Sequence, residues 1–321
     1  MHGITEVDPE IRVIKLPLPF ELNHVNVGLV PLDDGYMLID TGLDTGDAFA
    51  ALSASLTDAG IPWTAIRKIL LTHMHPDHVG MLPRLRALTG AEVLIHRAEA
   101  EYLNAIVAAG RAPWIDEALR TAGAPATLAT EVHQAMSDVR RSLRHLDPDV
   151  ALEGGEEIAT ALGRMQIVWT PGHSVGHICL YWPERKLMYS GDHMIEKITP
   201  NIPWLPGRDC LAEYLASLQK LIPFEIDRIF PSHGKPFSGH VRWIEKTIAH
   251  HAARCEQIAH ALEAKPLSAH ELVPALWNRH LSPFNYHFAL SEVLAHLEYM
   301  RRQGRVEKTN HEGVPRWLHA S

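Results

Sequence analysis

Short apolar runs alternate with amphipathic stretches over the first 96 residues of the chain. Four of the runs have the short apolar pattern typical of strands and predict strands at 25–30, 36–40, 68–72 and 92–96. The spacing of apolar positions at about 45–59 and 78–88 predicts helices between them. This alternation is typical of an α/β architecture.

The pattern changes at residues 97–147, which are rich in Ala, Leu, Arg and Glu and carry no strand signal. Glycines and prolines interrupt this segment, so it predicts two or three helices inserted into the α/β pattern. Strands are predicted again at 165–170, 178–182, 187–190 and 226–230, and long helices at 208–221 and 239–264. Two α/β halves around a helical insertion predict two packed sheets with helices outside, a four-layer αββα arrangement.

The pair Lys265-Pro266 marks a predicted boundary between a large domain, residues 1–264, and a small one, residues 265–321. The small unit begins with a predicted short helix around 268–277 and a longer one around 286–303. Two short strands near 305–309 and 315–319 follow Gly304. Two helices and a hairpin in this order predict a small winged-helix unit.

Composition narrows the class of protein. The 321 residues are 46% hydrophobic and 21% charged, which is ordinary for a globular chain, and the formal net charge of −8 argues against a protein-wide nucleic-acid-binding surface. No stretch approaches the roughly 18 apolar residues that a membrane span needs, and no secretory signal is predicted. The three cysteines are scattered, which predicts no disulfide framework and a cytoplasmic location: Cys179, Cys210 and Cys255.

The sharpest chemical signal is the pattern H-x-H-x-D-H at residues 73–78, directly after a predicted strand and before a predicted helix. A loop that leaves a strand end can bring several short side chains to one point. Imidazoles and a carboxylate together suit zinc, iron or manganese, and no cysteine lies nearby to indicate a thiolate site. The motif therefore predicts a metal site.

Three further strand ends carry side chains of the types that bind metals, each beside a glycine or a proline. His173 follows the strand at 165–170, Asp192 follows the strand at 187–190, and His233 follows the strand at 226–230. Six residues in one loop cannot fill two coordination spheres, so these positions are the expected source of the remaining ligands. The four strand ends predict one common site.

This series resembles the motifs of the metallo-β-lactamase superfamily over residues 20–240, with Asp40-Thr41-Gly42 as the early aspartate motif. The resemblance implies that one metal is held by His73, His75 and His173. It implies that a second is held by Asp77, His78 and His233, with Asp192 bridging the two. Asp40 is then expected to orient loop backbone or a ligand imidazole.

The implied cofactors are two divalent metal ions, with zinc first and iron or manganese as alternatives. Two such ions can share a hydroxide as the nucleophile and polarise a carbonyl or phosphoryl oxygen. Asp77 and Asp192 are the expected catalytic carboxylates, because a bridging carboxylate can take or deliver a proton. The histidine pattern lacks the cysteine ligand of some true β-lactamases, and it resembles that of glyoxalase II, lactonases and related ester or thioester hydrolases.

The predicted function is therefore hydrolysis of a small-molecule thioester, carboxylic ester or lactone. The alternative is a metal-dependent endoribonuclease that cleaves single-stranded RNA, which would need a basic groove and aromatic residues for stacking. A binding protein with a vestigial metal site is the third class. A homodimer is possible, and the C-terminal unit, with only a small excess of basic residues, is expected to pack against the catalytic domain or to dimerise.

Several residues have two interpretations. Tyr102, Ile106, Trp114 and Leu119 of the insertion either cap a hydrophobic substrate tunnel or form buried helix faces. Residues 198–204 are expected to line the mouth of the site. His177 is expected to have a hydrogen-bonding role and not to be a ligand. His193 either faces the pocket or stabilises its loop. His24 and Asn26 either contact the pocket or have a cross-strand role. Arg140, Arg141 and Arg144 either meet an anionic substrate or form a solvated helix face.

Overall fold

The computed structural model describes residues 5–6, 11–110, 113–311 and 313–320. Within these ranges, the first half of the chain builds a sheet whose strands lie in sequence order. Pairing is antiparallel from β1 to β4 and parallel from β4 to β7. The strands are β1 (Thr5–Glu6), β2 (Arg12–Pro17), β3 (His24–Leu32), β4 (Gly35–Ile39), β5 (Ile66–Leu71), β6 (Glu92–His96) and β7 (Val150–Leu152).

The second half builds another sheet, in the order β12-β11-β10-β9-β8. Pairing there is antiparallel except between β11 and β12, which run parallel. The strands are β8 (Glu157–Thr160), β9 (Gly163–Trp169), β10 (Ile178–Trp182), β11 (Leu187–Gly191) and β12 (Arg228–Pro231). Every residue of β10 and of β11 is buried, because these strands are covered on both faces.

Ten α-helices accompany the two sheets within the described residues. They are α1 (Gly46–Asp58), α2 (Pro76–Val79), α3 (Leu82–Thr89), α4 (Arg97–Ala109), α5 (Pro113–Thr121), α6 (Ala126–Arg140), α7 (Cys210–Leu221), α8 (His240–Leu262), α9 (Ala269–Leu276) and α10 (Pro283–Arg302). The hairpin of β13 (Val306–His311) and β14 (Val314–His319) ends the described chain. Among the residues described, no helix has the length and apolar character that crossing a bilayer requires.

Three apolar layers confirm the predicted four-layer αββα fold. The innermost lies between the sheets, where Ile39 and Leu70 of the first sheet pack with Leu180, Tyr189 and Phe230 of the second. A second layer joins the outer face of the first sheet to α1, α3 and α4. A third joins the outer face of the second sheet to α7 and α8. Because each sheet is covered on both faces, its strand ends are the places where polar side chains can gather.

Most predicted elements are present, with small differences. The helix expected at 78–88 is two helices, α2 and α3, separated by Gly80 and Met81. The strands β1, β2, β7 and β8 were not predicted. β7 has only three residues, and β8 has four residues that are all at least partly exposed, so neither shows a clear apolar pattern.

The predicted insertion consists of α4, α5 and α6. The last two pack with α8, α9, α10 and the terminal hairpin in one apolar core, to which Leu119, Leu294 and Trp317 belong. The C-terminal unit therefore packs against the insertion and α8, which is one of the two roles expected from the sequence, packing or dimerisation. The elements predicted for this unit are present. The boundary at residues 264–265 lies in the connection between α8 and α9, and the division into two domains and the winged-helix assignment remain predictions.

Candidate metal centre

The predicted ligands and the supporting residue Asp40 lie together where five strands end. Asp40 follows β4, the 73–78 motif follows β5, His173 follows β9, Asp192 follows β11, and His233 lies two residues beyond the end of β12. The first two segments leave one sheet and the other three leave the second sheet. Both sheets therefore contribute to one site, as the strand-end argument predicted.

Three imidazoles form the first group. His73 Nε2 lies 3.0 Å from His75 Nδ1 and 3.3 Å from His173 Nε2. His75 Nδ1 and His173 Nε2 are 3.1 Å apart. The opposite nitrogens of two rings have other partners: His73 Nδ1 lies 3.0 Å from Thr72 Oγ1 and His173 Nδ1 donates to the Asn201 carbonyl at 2.9 Å. Ligand nitrogens about 2.0–2.1 Å from a tetrahedral zinc are roughly 3.3 Å apart. The three inward nitrogens fit that spacing.

The surroundings of this group favour neutral rings. Burial and the neighbouring imidazoles His78 and His75 hold the pKa of His73 well below its ordinary value. Burial and His173 lower the pKa of His75 to about 3. Burial also lowers the pKa of His173, although Asp192 opposes that shift. Neutral imidazole nitrogen is the form that binds a metal.

The second group combines two imidazoles with a carboxylate. Asp77 Oδ2 lies 3.3 Å from His233 Nε2 and 3.7 Å from His78 Nε2. The other ring nitrogen of each histidine points away from Asp77. His78 Nδ1 donates to Asp40 Oδ2 and His233 Nδ1 donates to the His24 carbonyl, both at 2.8 Å. Burial opposes a charged His78, but Asp77 and Asp40 outweigh it and raise its pKa to about 9. Burial likewise opposes a charged Asp77, but His78 and His233 lower its pKa to about 2.

Asp192 lies between the two groups. Its Oδ1 is 3.6 Å from His78 Nε2 and 3.5 Å from His233 Nε2, while its Oδ2 is 3.6 Å from His173 Nε2. Asp192 Oδ1 and His78 Nε2 are buried and have no hydrogen-bond partner. A buried polar atom without a partner is costly unless another group satisfies it. A cation in the second group would satisfy both atoms, because Asp192 Oδ1 lies beside His78 Nε2 and His233 Nε2.

Asp40 supports the site through hydrogen bonds with Thr72 and His78. Its carboxylate accepts hydrogen bonds from the Thr72 backbone N–H at 2.8 Å and from the Thr72 hydroxyl at 2.9–3.0 Å, in addition to the bond from His78. Asp40 is fully buried and adopts a φ of +63°, which is uncommon for a residue other than glycine. The backbone places this carboxylate where it contacts both the β5 end and the His78 ring.

Glu99 is a supporting residue that the sequence analysis missed. It is fully buried in the first turn of α4, where its Oε2 accepts from the Met74 N–H at 2.8 Å and its Oε1 accepts from the Gly176 N–H at 2.5 Å. It thereby joins the loop of the 73–78 motif to the loop that carries His173. An acidic residue in a first turn is common for helix reasons alone, so the sequence held no specific signal for this role.

Four weaker candidates have defined positions. His177 accepts from the Asp192 N–H at 3.1 Å and its other ring nitrogen lies 2.9 Å from Thr170 Oγ1, so it has the predicted hydrogen-bonding role. His193 is buried with its ring edge-on to Tyr214 and does not line the cavity. Asn26 donates to the carbonyls of Pro231 and Gly234, and with His24 it holds the loop that carries His233.

Gly172 shows why the His173 loop needs a glycine. It has a φ of +128°, and an added Cβ would lie 2.4 Å from the backbone of Tyr214 in α7. A side chain there would separate the loop from the helix. The Pro171-Gly172 sequence therefore permits the loop that carries His173 to approach the backbone of α7 closely.

A cavity of about 340 Å³ opens onto both groups. Its polar end has His75, Asp77, His173, Asp192 and His233 in its wall. The rest is largely apolar and comes from three regions: Leu18, Phe20 and Leu22 before β3; Tyr102, Ile106 and Trp114 of the insertion; and Phe284 and Phe288 of α10. No described lining residue is a lysine or an arginine.

Three predictions about this cavity have different outcomes. Residues of the 198–204 loop line it, as expected, among them Ile198, Pro200 and Pro203. Leu119 does not, because it is buried in the core shared with the C-terminal unit. Arg141 and Arg144 are also absent from the described lining, and the side chain of Arg140 lies outside the described atoms.

Comparisons with known proteins agree with this geometry. The sequence model of the metallo-beta-lactamase superfamily matches residues 21–233, and that of a metallo-beta-lactamase-like C-terminal domain matches residues 255–320. The probable metallo-hydrolase YqjP of Bacillus subtilis (strain 168) is 26% identical, over 92% of this chain and 93% of its own. The acyl-coenzyme A thioesterase MBLAC2 of Homo sapiens is 28% identical, over 67% of this chain and 75% of its own.

Solved structures share the fold. A metallo-beta-lactamase family protein from Thermus thermophilus has a TM-score of 0.84 at 29% identity, covering 98% of this chain and 99% of its own. A beta-lactamase domain protein from Burkholderia ambifaria has a TM-score of 0.88 at 27% identity, covering 99% of this chain and 94% of its own. Both likenesses extend over the C-terminal unit as well as the two sheets.

Proposed function

Because the chain belongs to the metallo-beta-lactamase superfamily and is a metal-dependent hydrolase, we propose that it hydrolyses carboxylic thioesters with an apolar acyl group. The observation that carries this proposal is the continuous cavity with a polar end and a long apolar remainder. Its volume of about 340 Å³ is within the usual range for small-molecule sites. An acyl chain would occupy the apolar part with its carbonyl carbon at the two groups of ligands.

We assign one metal ion to His73, His75 and His173 and a second to Asp77, His78 and His233, with Asp192 between them. The spacing of the inward nitrogens and the two orphaned atoms support this assignment. The donors are imidazole nitrogens and carboxylate oxygens without a thiolate, which suits zinc first, and iron or manganese as alternatives. Asp40 would act through His78 by fixing the orientation of its ring.

When bound, such ions supply a water of lowered pKa and polarise the carbonyl oxygen. The chain's own residues supply the remainder. Asp77 and Asp192 line the cavity, so their carboxylate oxygens are positioned to accept a proton from the attacking water and return it to the leaving thiolate. The apolar walls exclude bulk water from the acyl chain, and the 198–203 loop closes the side next to His173.

The relatives support the thioester class. The human acyl-coenzyme A thioesterase is similar over 67% of this chain. The lack of lysine and arginine from the described lining argues against a phosphodiester at the metals, because a nucleic-acid strand needs cations along its path. A lactone or an oxyester would fit the same polar end and belongs to the same reaction class.

The test is turnover by metal-quantified protein on matched substrates. Octanoyl thioesters, octanoyl oxyesters and a lactone of similar size are compared with a single-stranded RNA, using the wild-type protein and Asp192→Asn. We expect thioester hydrolysis that Asp192→Asn lowers by at least about a hundredfold, because the variant loses the carboxylate between the two groups.

A control variant guards against a general loss of structure. Asp149→Asn changes a carboxylate at the β6–β7 edge, where it pairs with Arg86 outside the cavity, and should leave turnover within about twofold of wild type. Cleavage of RNA without any hydrolysis of thioesters or esters would show that the proposal is wrong.

A further inference from the structure

A second cavity lies beside the catalytic one and has a different character. It has a volume of about 770 Å³ and is bounded by residues 196–199 and by the first turns of α8. Ile198 and Thr199 line both cavities, so one short segment forms the wall between them. We call this second cavity the basic pocket, defined by Lys197, Phe237, Arg242, Trp243 and Lys246.

Three cationic side chains surround the basic pocket. Arg242 and Lys246 are four residues apart on α8 and therefore lie on the same helix face. Lys197 comes from the loop on the opposite side of the pocket. All three side chains are exposed, and within the described residues none forms an ion pair or a side-chain hydrogen bond. Glu196 is the acidic residue in the described lining, so positive charge is in excess.

The backbone and an aromatic surface add to this character. α8 begins after Gly239 without a side-chain cap, so its first backbone N–H groups remain available to an anion. The Trp243 ring lies 6.2 Å from the Phe237 ring, and its Nε1 donates to the Ile195 carbonyl at 2.8 Å. Ile195 itself lines the catalytic cavity. Trp243 thus fixes the basic pocket to the segment that follows Asp192.

We propose that the basic pocket binds the phosphorylated nucleotide end of a coenzyme A thioester. The phosphates would contact Lys197, Arg242, Lys246 and the α8 N-terminus, and the adenine would lie against Trp243. The flexible arm would pass Ile198 and Thr199, so that the thioester reaches the ligand groups and the acyl chain enters the apolar cavity. This inference rests on the proposed thioesterase function, and it adds the carrier that the substrate bears.

The division of charge favours a small carrier over a nucleic-acid strand. Of the two cavities, the basic pocket has lysine and arginine in its described lining, while the described lining of the catalytic cavity has neither. A polynucleotide would need phosphate contacts on both sides of the scissile bond. Coenzyme A needs them at one end only, because its thioester lies at the other end of an uncharged arm.

The test compares two substrates with the same octanoyl group, one on coenzyme A and one on N-acetylcysteamine, which has the thioester without the nucleotide. The double variant R242Q/K246Q is expected to raise KM for octanoyl-coenzyme A at least tenfold. Its kcat/KM for the N-acetylcysteamine thioester should stay within about twofold of wild type. The matched control K265Q/R279Q removes the same charge from exposed positions outside both cavities and should change neither substrate.

Calorimetry separates failure of this inference from failure of the proposed function. The wild-type protein could hydrolyse no thioester and yet bind coenzyme A and 3′,5′-ADP. If R242Q/K246Q then loses that binding, the nucleotide-binding role of the basic pocket is supported and the proposed function is wrong. Equal losses on both thioesters, or no loss on either, would overturn the inference. So would inorganic phosphate binding as tightly as 3′,5′-ADP, or binding of single-stranded RNA with no binding of coenzyme A.

Discussion

Glu99 illustrates how much of the site depends on residues that are not ligands. It is buried, and its two oxygens accept backbone hydrogen bonds from Met74 and Gly176 on separate loops. Burial raises the pKa of Glu99, whereas the bonds from the two amides favour its charged form. Its carboxylate is therefore suited to hold both loops in one position.

We predict that Glu99→Gln weakens both the fold and the metal site. The glutamine amide would direct a donor at one of the two backbone N–H groups, which leaves that group unsatisfied at a cost of about 1–3 kcal/mol. Metal affinity, measured by competition with a chelator, should fall roughly 10–100-fold, as is usual when a group that orients ligands is lost. Glu101→Gln, on the exposed side of the same helix, is the control. An unchanged affinity in Glu99→Gln would refute the role.

The individual ligands were visible in the sequence, but their supports were not. The H-x-H-x-D-H motif, His173, Asp192 and His233 follow predicted strands, and a strand end is a place where several polar side chains can converge. Their ligand roles remain predictions, although the structure brings them together. The contacts of Glu99, of Asn201 with His173 and of His24 with His233 use backbone groups. Backbone groups are nearly the same for every residue type, so no sequence pattern identifies the ones that make these contacts.

Among the elements, α8 and α10 meet through a pair of buried histidines. His251 and His296 are 1% and 0% exposed, and their facing nitrogens are 3.1 Å apart. His296 Nδ1 donates to the Glu292 carbonyl at 2.7 Å, which leaves its Nε2 to accept from His251. Burial and His296 lower the pKa of His251 to about 3, and burial lowers the pKa of His296 to about 4. Both rings are neutral in the folded protein near neutral pH.

This pair predicts a defined loss of stability in acid. Both rings take up a proton in the unfolded chain below about pH 6.5, whereas the folded chain resists protonation until about pH 4 for His296 and pH 3 for His251. The pair's contribution is therefore present above pH 6.5 and is lost as the pH falls. Each ring should add about 1.4 kcal/mol per pH unit to the slope of the unfolding free energy between about pH 5.5 and 4.

Urea unfolding of metal-free protein at several pH values measures that slope. His296→Gln should lower the slope of the unfolding free energy by the contribution of one proton, about 1.4 kcal/mol per pH unit. His260→Gln, which removes an exposed histidine of the same helix as His251, should leave it unchanged. Identical slopes in wild type and His296→Gln would contradict the assigned neutral state.

Most long elements were easier to predict than the shortest ones, although β2, with six residues, was missed and β12, with four, was predicted. Several elements have enough residues, or enough consecutive apolar residues, for the periodic pattern of apolar positions to be visible in the sequence. They are the strands β3, β5, β6, β9, β10 and β11 and the helices α1, α7 and α8. By contrast, β7 and β8 are defined by their neighbours in the sheet, because three or four residues carry no period. Nothing in the sequence indicated that Phe284 and Phe288 of α10 reach the catalytic cavity, since that contact depends on how distant segments pack.

At the scale of the molecule, the ligand groups join the two sheets. His73, His75, Asp77 and His78 leave the first sheet, while His173, Asp192 and His233 leave the second. Ions bound to both groups would therefore link the halves of the sandwich. An ion that binds only the folded chain stabilises it by an amount that grows with its concentration.

We predict that removing metal lowers the melting temperature and that reloading restores it. Saturating zinc should raise the melting temperature of chelated protein by at least about 5 °C. Elemental analysis of the reloaded protein should give two ions per chain, and Asp192→Asn should bind less metal at the same free zinc concentration. A stoichiometry of one ion, or an unchanged melting temperature, would count against the two-ion assignment.

The construction of the cavity also bears on how such a protein can evolve. Its polar end comes from strand-end loops that depend on one another, so a substitution there disturbs several contacts at once. Its apolar wall comes from three unrelated stretches of the gene: the turn before β3, the helical insertion and α10. Mutations in any one stretch can alter which acyl groups fit while the chemistry is inherited intact. Substrate preference should therefore diverge among descendants much faster than reaction type.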